Sequence, residues 1–166
     1  MNGLFGTGRD SSIASKDLVD PLTGIRNRRG FLAAAEPLLD ACRKTDLPLV
    51  LLEIEVAAFA DISSEFGSSS AEALLRASAG LINTMCRSGD LVGRTGVAQF
   101  SILLPGASID LAEQVAGRLT RAARRLSETS RNNAMRHGPL ALETSTRYVS
   151  SGEVFAIRTA PPQRIG

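Results

Sequence analysis

The sequence has few of the side chains that build metal centres, nucleophilic triads and aromatic binding platforms. Its 166 residues include one histidine, two cysteines, one tyrosine and no tryptophan. The single histidine, His137, is too little for a zinc site of the usual His/Cys type or for a histidine-based triad. Two cysteines, Cys42 and Cys86, exclude a disulfide scaffold and suggest buried, reduced thiols. With so little aromatic surface for stacking, we expect no nucleic-acid partner.

Long apolar runs are also missing. The longest, residues 47–54, is interrupted by Pro48 and Glu53 and is too short to cross a bilayer. Residues 1–17 lack the apolar centre of a signal peptide. We therefore expect a cytoplasmic protein with no membrane insertion. Its length predicts one domain over residues 18–160, preceded by a flexible leader at 1–17 and followed by a short tail at 161–166.

Arginine carries almost all of the positive charge. Only two of the 19 basic residues are lysines, Lys16 and Lys44, and the formal net charge is +2. That balance is milder than the strong basic bias of a nucleic-acid-binding domain. The planar guanidinium of arginine suits phosphate groups and guanine edges better than the point charge of lysine does. The arginine bias alone does not identify a binding site, but it makes individual arginines candidates for contacts with phosphate or guanine.

Periodicity predicts alternating helices and strands. Asn27 is a candidate N-cap for a helix that ends near Lys44. The pattern then predicts a strand at 47–56, a helix at 70–86, strands at 91–94 and 100–104, a helix at 109–126 and a terminal hairpin at 140–149 and 154–159. This order is typical of an α/β sandwich of the ferredoxin-like or nucleotide-cyclase kind. We expect a central, mostly antiparallel sheet flanked by helices.

Several motifs along the chain match one family in register. The segment DPLTGIRNRRGF at 20–31 resembles the opening D-x-L-T-G-L-x-N-R-R-x-F of GGDEF domains, the diguanylate cyclase family. The segment at 55–67 resembles the family's D-I-D-x-F-K-x-I-N-D-x-Y-G. Residues 87–94 resemble R-x-x-D-L-x-x-R, and GVAQF at 96–100 occupies the place of the G-G-D/E-E-F signature. The resemblance covers about residues 20–120.

The resemblance implies an active site that joins two GTP molecules into cyclic di-GMP with a divalent metal. Many of the implied positions are altered here. The metal-binding Asp is Glu55, the guanine-reading Asn and Asp are Ser63 and Glu72, and the signature is Gly96, Val97, Ala98 and Gln99. The family's final helix and its phosphate-contacting Lys are not found. We therefore expect a degenerate domain that is not an enzyme, with no metal, no Mg²⁺ and no cofactor.

A second site implied by the resemblance is preserved. Many GGDEF domains bind their product at an inhibitory R-x-x-D motif, which Arg87 and Asp90 match at the correct spacing before Gly96. The family's further Arg on the following helix is matched by Arg118. Arg43, near the end of the first helix, is matched to an Arg that some members contribute from a neighbouring subunit. Arg can donate to guanine O6 and N7, and a carboxylate can accept from N1–H and N2–H₂.

Three functions remain open at this point. The leading hypothesis is a cyclic di-GMP receptor that signals to an unknown protein partner, either as a monomer or as a homodimer. The first alternative is a ligand-free interaction or dimerisation module, because Arg87 could simply complement a helix C-terminus and Asp90 could cap a turn. A weaker alternative is regulatory GTP binding. The sequence names neither the partner nor the pathway.

Overall fold

The fold is built on a five-stranded sheet in a computed structural model that describes residues 15–129 and 140–149. The strands are β1 (Arg26–Asn27), β2 (Leu49–Val56), β3 (Leu91–Arg94), β4 (Gln99–Pro105) and β5 (Leu142–Tyr148). The helices are α1 (Arg28–Lys44), α2 (Phe59–Phe66), α3 (Ser68–Met85) and α4 (Ile109–Thr129). The strand order is β1-β3-β4-β2-β5. Every pairing is antiparallel except that of β1 with β3, so the predicted mostly antiparallel α/β sandwich is confirmed.

Strand β2 lies near the middle of the sheet and serves two cores. Val50, Leu52 and Ile54 point into the larger hydrophobic cluster, which includes side chains of α2, α3 and α4. Leu49 and Leu51 alternate with them and point into a smaller cluster with α1. Because successive strand residues face opposite sides, a strand buried on both faces needs helices on both. Helix α1 therefore covers one face of the sheet, and α2, α3 and α4 cover the other.

Asn27 starts α1 as predicted. Its side-chain oxygen accepts a hydrogen bond from the Gly30 backbone N–H at 2.9 Å, and its side-chain amide donates to the Asp17 carbonyl at 2.9 Å. The second bond connects the helix start to a 3-10 turn, Ser15–Leu18. Residues 15–17, which we assigned to the flexible leader, therefore belong to a hydrogen-bonded turn.

Other boundaries differ modestly from the prediction. Helix α3 begins at Ser68 and β2 at Leu49, each two residues from the expected start. Helix α2 was not predicted, because it has eight residues and only Ile62 is buried, too few for a visible apolar period. The two-residue strand β1 was missed for the same reason. The predicted strand at 154–159, the tail at 161–166 and His137 lie outside the described residues.

The burial of the two cysteines and the character of the helices can be compared with the prediction of buried thiols and no membrane insertion. Cys42 is buried in α1, whereas Cys86 is half-buried at the end of α3. Burial raises the pKa of the Cys42 thiol above its ordinary range. Among the described helices, none is long and apolar enough to span a bilayer.

Gly93 lets α1 approach β3 closely. A Cβ atom added at Gly93 would lie 2.7 Å from the Phe31 Cβ and 2.9 Å from its Cδ2. Phe31 is fully buried and comes from the first turn of α1. Since neither the Cβ nor the ring of a packed phenylalanine can give way at low cost, only glycine fits at this crossing.

Gly93→Ala is expected to lower the free energy of unfolding by about 2 kcal/mol, because the new methyl group overpacks the core against Phe31. Urea denaturation followed by far-UV circular dichroism measures this change. Gly80→Ala is the matched control, since nothing lies within 4 Å of an added Cβ there and the position is helical. The control should be neutral or stabilising by up to about 1 kcal/mol. Equal effects of the two substitutions would contradict the packing argument.

Candidate nucleotide-binding site

Arg87 and Asp90 form a closed turn between α3 and β3. The Arg87 backbone N–H donates to Asp90 Oδ2 at 2.8 Å, and the Asp90 N–H donates to the Arg87 carbonyl at 3.0 Å. Arg87 Nη2 lies 3.4 Å from Asp90 Oδ1. The Arg87 side chain is 63 % exposed, whereas that of Asp90 is 4 % exposed. The turn therefore holds a buried carboxylate beneath a guanidinium that faces solvent.

Cys86 shows the electrostatic effect of that carboxylate. Burial, together with the negative charge of Asp90, raises the pKa of the Cys86 thiol to about 11. Its backbone N–H donates to the Ile82 carbonyl at 3.0 Å and ends α3. The thiol is consequently protonated at neutral pH and is a poor nucleophile.

The turn lines a cleft of about 550 Å³. One wall is the C-terminal half of α3 with the turn itself, and the other is the loop that precedes α1. The floor includes Val92 of β3. Polar and charged lining residues are Thr23, Arg26, Asn83, Arg87, Ser88 and Asp90. Concave sites of this size commonly hold small ligands.

The structure separates the two other arginines that were predicted to bind the ligand. Arg118 lies on the exposed side of α4, a helix packed on the same face of the sheet as α3. It does not line the cleft. Arg43 lies on α1, on the opposite face, and pairs with Asp40 at 3.7 Å. Neither Arg118 nor Arg43 therefore joins Arg87 and Asp90 among the residues that line the cleft.

The signature segment forms a tight turn between β3 and β4. Thr95 and Gly96 N–H groups both donate to the Gln99 carbonyl, at 2.9 and 3.2 Å, and the Val56 N–H donates to the Ala98 carbonyl at 2.9 Å. Val97 stands at the tip with 67 % of its surface exposed. The altered side chains at 97–99 therefore leave a well-formed hydrogen-bonded turn in place.

Arg94 fixes this turn to the loop before α1. Arg94 Nη2 and Nε donate to the Val97 carbonyl at 2.6 and 3.3 Å, and Nη1 lies 3.2 Å from both oxygens of Asp20. Asp20 also accepts hydrogen bonds from the Thr23 N–H and hydroxyl. Burial alone would raise the pKa of Asp20, but the bonds from Thr23 and Arg94 and the Arg94 charge outweigh it, so that pKa is lowered.

The other residues of the predicted active site lie on β2, α2 and α3. Glu55 pairs in register with Gln99 on β4 and with Glu143 on β5. Ser63 is half-buried on α2, and Glu72 on α3 forms a partly exposed ion pair with Arg76 at 3.1 Å. A divalent cation needs several oxygen ligands. Within residues 15–129 and 140–149, no three Asp, Glu, Cys or His side chains converge into one group, and we derive no step through a metal.

Two features of the site were not singled out from the sequence. The Asp20–Arg94–Val97 connection joins residues of separate motifs, and only the fold shows that they meet. Arg26 and Asn83 contribute to the cleft, although neither belongs to the R-x-x-D motif. The signal that could have found Arg26 is its place inside the 20–31 motif, at a position that motif leaves variable.

Comparison with known proteins agrees with the motifs. The family profile described as diguanylate cyclase, GGDEF domain matches residues 17–143. The chain is 30% identical over 107 residues to the diguanylate cyclase DgcP of Pseudomonas aeruginosa, which is 64% of this chain and 16% of DgcP. It is 27% identical over 123 residues to the diguanylate cyclase VdcA of Vibrio cholerae, which is 74% of this chain and 35% of VdcA. The chain thus spans a minor part of these relatives.

Solved structures share the fold. The GGDEF domain of DgcB from Caulobacter crescentus, in complex with c-di-GMP, has a TM-score of 0.74 at 15% identity, over 85% of this chain and 83% of that one. The diguanylate cyclase SiaD from Pseudomonas aeruginosa, in complex with its activator SiaC, has a TM-score of 0.70 at 27% identity, over 89% of this chain and 56% of that one.

The prediction that the chain is not an enzyme is contradicted by these relatives, because DgcP and VdcA are named diguanylate cyclases. The prediction rested on Val97, Ala98 and Gln99 in the signature. Their side chains differ from the family pattern, yet the backbone hydrogen bonds at 95–99 form a complete turn. Substituted positions in a sequence were not sufficient grounds for assigning lost activity.

Asp20→Asn is expected to lower the free energy of unfolding at pH 7 by about 1–2 kcal/mol, since it removes the charge that Arg94 pairs in a largely buried setting. Because the folded-state pKa of Asp20 is depressed below its ordinary 3.8, this contribution is present above pH 3.8 and is lost as the pH falls through the folded-state value. Urea denaturation from pH 7 to pH 3 should therefore show the wild-type and variant stabilities converging.

Asp40→Asn is the control, because its ion pair with Arg43 has both partners more than half exposed. A change within about 0.5 kcal/mol is expected there. The role assigned to Asp20 would be wrong if the two variants behaved alike.

Proposed function

This chain belongs to the GGDEF domain family, and on that premise we propose that it binds cyclic di-GMP at the turn formed by Arg87 and Asp90. The observation that carries the proposal is the preformed pair of an exposed guanidinium and a buried carboxylate on the wall of the cleft. Guanine presents two acceptors on one edge and N–H donors on another, so this pair offers complementary groups for it.

Arg87 can leave Asp90 at little cost. Its side-chain contact with Asp90 is long, 3.4 Å, and the guanidinium is mostly in solvent. Water therefore solvates the guanidinium in either position, and the buried carboxylate keeps its bond from the Arg87 backbone N–H when the guanidinium moves. The turn itself depends on the shorter backbone bonds, 2.8 Å from Arg87 N–H and 3.0 Å from Asp90 N–H. The guanidinium can therefore turn to a ligand while the carboxylate stays fixed.

Asp90 has unused capacity as an acceptor. Its Oδ2 atom takes the Arg87 N–H, whereas Oδ1 has only the long contact to Nη2. A carboxylate oxygen in a partly buried setting forms a stronger hydrogen bond than one in water. When Arg87 moves, Oδ1 is free to accept from the N1–H and N2–H₂ edge of guanine. Arg118, on the adjacent helix α4, is the candidate for a second cationic contact.

Relatives support a ligand of this class. DgcB, whose GGDEF domain shares the fold, was solved in complex with c-di-GMP. Another solved complex pairs a microbial GGDEF domain with bis-(3,5)-cyclic di-GMP, at 23% identity and a TM-score of 0.67. SiaD was solved with an activator protein, which supports a protein partner as a further proposal.

Isothermal titration of cyclic di-GMP into wild type and Arg87→Ala tests the proposal. We expect wild-type binding and an affinity lower by about 10- to 100-fold in the variant, the usual range for losing one bidentate guanine contact. Arg124→Ala is the matched control, since Arg124 is exposed on α4 and pairs only with Glu128, at 3.8 Å, among the contacts of the described residues. The control should bind as wild type does.

Bound nucleotide carried through purification would mask the site. A parallel sample is therefore denatured, and chromatography measures the nucleotide that it releases. A second native sample is incubated with GTP, and chromatography measures any cyclic di-GMP that the chain makes. A nucleotide-free wild type that gives no heat with cyclic di-GMP would overturn the proposal and favour the interaction module.

A further inference from the structure

A second arginine, on the edge strand β1, lines the same cleft. Arg26 lines the cleft together with Arg87, and Asp90 is the one carboxylate among the described lining residues. Two guanidinium groups and one carboxylate give this lining a net positive charge. The carboxylate already accepts from Arg87, so the surplus cation has no internal partner there. A cleft with that balance attracts an anionic group.

The backbone at Arg26 is held on both sides. Arg26 pairs with Gly93 in the parallel ladder of β1 and β3, and it forms an antiparallel bridge with Val19. The loop before it is closed by a hydrogen bond from the Asp20 N–H to the Ile25 carbonyl at 2.8 Å. The position is therefore fixed relative to β3 and the turn that precedes β3. A fixed backbone reduces the entropy lost when the side chain contacts a ligand.

The Arg26 side chain is exposed, and within residues 15–129 and 140–149 it has no hydrogen bond or ion pair. This distinguishes it from Arg94, which is committed to Asp20 and Val97. It also distinguishes it from Arg76, which pairs with Glu72. Arg26 is thus available to a ligand without breaking a contact seen in the structure.

We propose that Arg26 binds a phosphate group of the nucleotide whose guanine is held by Arg87 and Asp90. This inference rests on the proposed function and adds a residue from the N-terminal loop to it. Asn83, near the C-terminal end of α3, supplies a neutral donor and acceptor to the same cleft. The ligand class is a guanine nucleotide with at least one phosphodiester within reach of β1.

Charge-conserving variants distinguish the two arginine roles. A phosphate accepts a hydrogen bond from Lys as well as from Arg, whereas the two-point contact with a guanine edge depends on the planar fork. Arg26→Lys should therefore keep the cyclic di-GMP affinity within about threefold, while Arg87→Lys should lose most of it. Arg26→Ala should weaken binding by about tenfold, the order expected for one charge-assisted bond.

Titration calorimetry with cyclic di-GMP, repeated at two sodium chloride concentrations, measures these changes. Arg26→Ala should also show a weaker salt dependence of the dissociation constant than wild type, because one ionic contact is gone. Arg29→Ala is the matched control, since Arg29 is a nearby exposed arginine at the start of α1 that does not line the cleft.

The outcomes separate the inference from the function on which it rests. If wild type binds, Arg87→Ala fails to bind and Arg26→Ala equals Arg29→Ala, the Arg26 contact is wrong and the proposed site stands. If Arg26→Lys is as weak as Arg26→Ala, the phosphate role is wrong. If nucleotide-free wild type does not bind at all, the proposed function itself is overturned and the inference with it.

Discussion

The ion pair between Asp20 and Arg94 is the contact on which the functional end of this domain depends. Asp20 closes the loop before α1, and Arg94 ends β3 and holds the carbonyl of Val97. One side-chain pair thus fixes the N-terminal loop, the edge of the sheet and the signature turn to one another. Since the two side chains are 13% and 17% exposed, the pair is shielded from the screening that weakens surface ion pairs.

The same pair connects the two sites that the sequence suggested separately. The loop that Asp20 closes continues to Arg26 and forms one wall of the cleft. The signature turn that Arg94 holds lies at the other end of β3 from the Arg87–Asp90 turn. A ligand in the cleft therefore contacts elements that are rigidly joined to the signature turn. Strand β3 and Arg94 connect the cleft to that turn, and a ligand would couple the two only if it bound two states of this connection with different affinities.

Sequence patterns predicted the long elements and missed the short ones for a common physical reason. Helices α1, α3 and α4 and strand β2 bury many apolar side chains, so their periodicity is visible. Helix α2 buries only Ile62, and β1 has two residues, so tertiary contacts rather than local pattern determine them. Motif spacing singled out Arg87 and Asp90, which the fold brings into one turn, and residues 96–99, which lie in the turn between β3 and β4. It could not place Arg26 or the Asp20–Arg94 pair, because those contacts join segments 67–74 residues apart in the chain.

The sheet also decides which arginines can share one ligand. Arg118 lies on α4 and Arg87 follows α3, the helices that cover one face of the sheet, whereas Arg26 lies on the edge strand β1. Arg43 belongs to α1, behind the sheet. Arg43 pairs with Asp40 on α1 and does not line the cleft beside Arg87. A contribution from Arg43 of a second chain would join two copies through one ligand and would appear only where the domain associates, whereas the contact proposed for Arg26 needs a single copy.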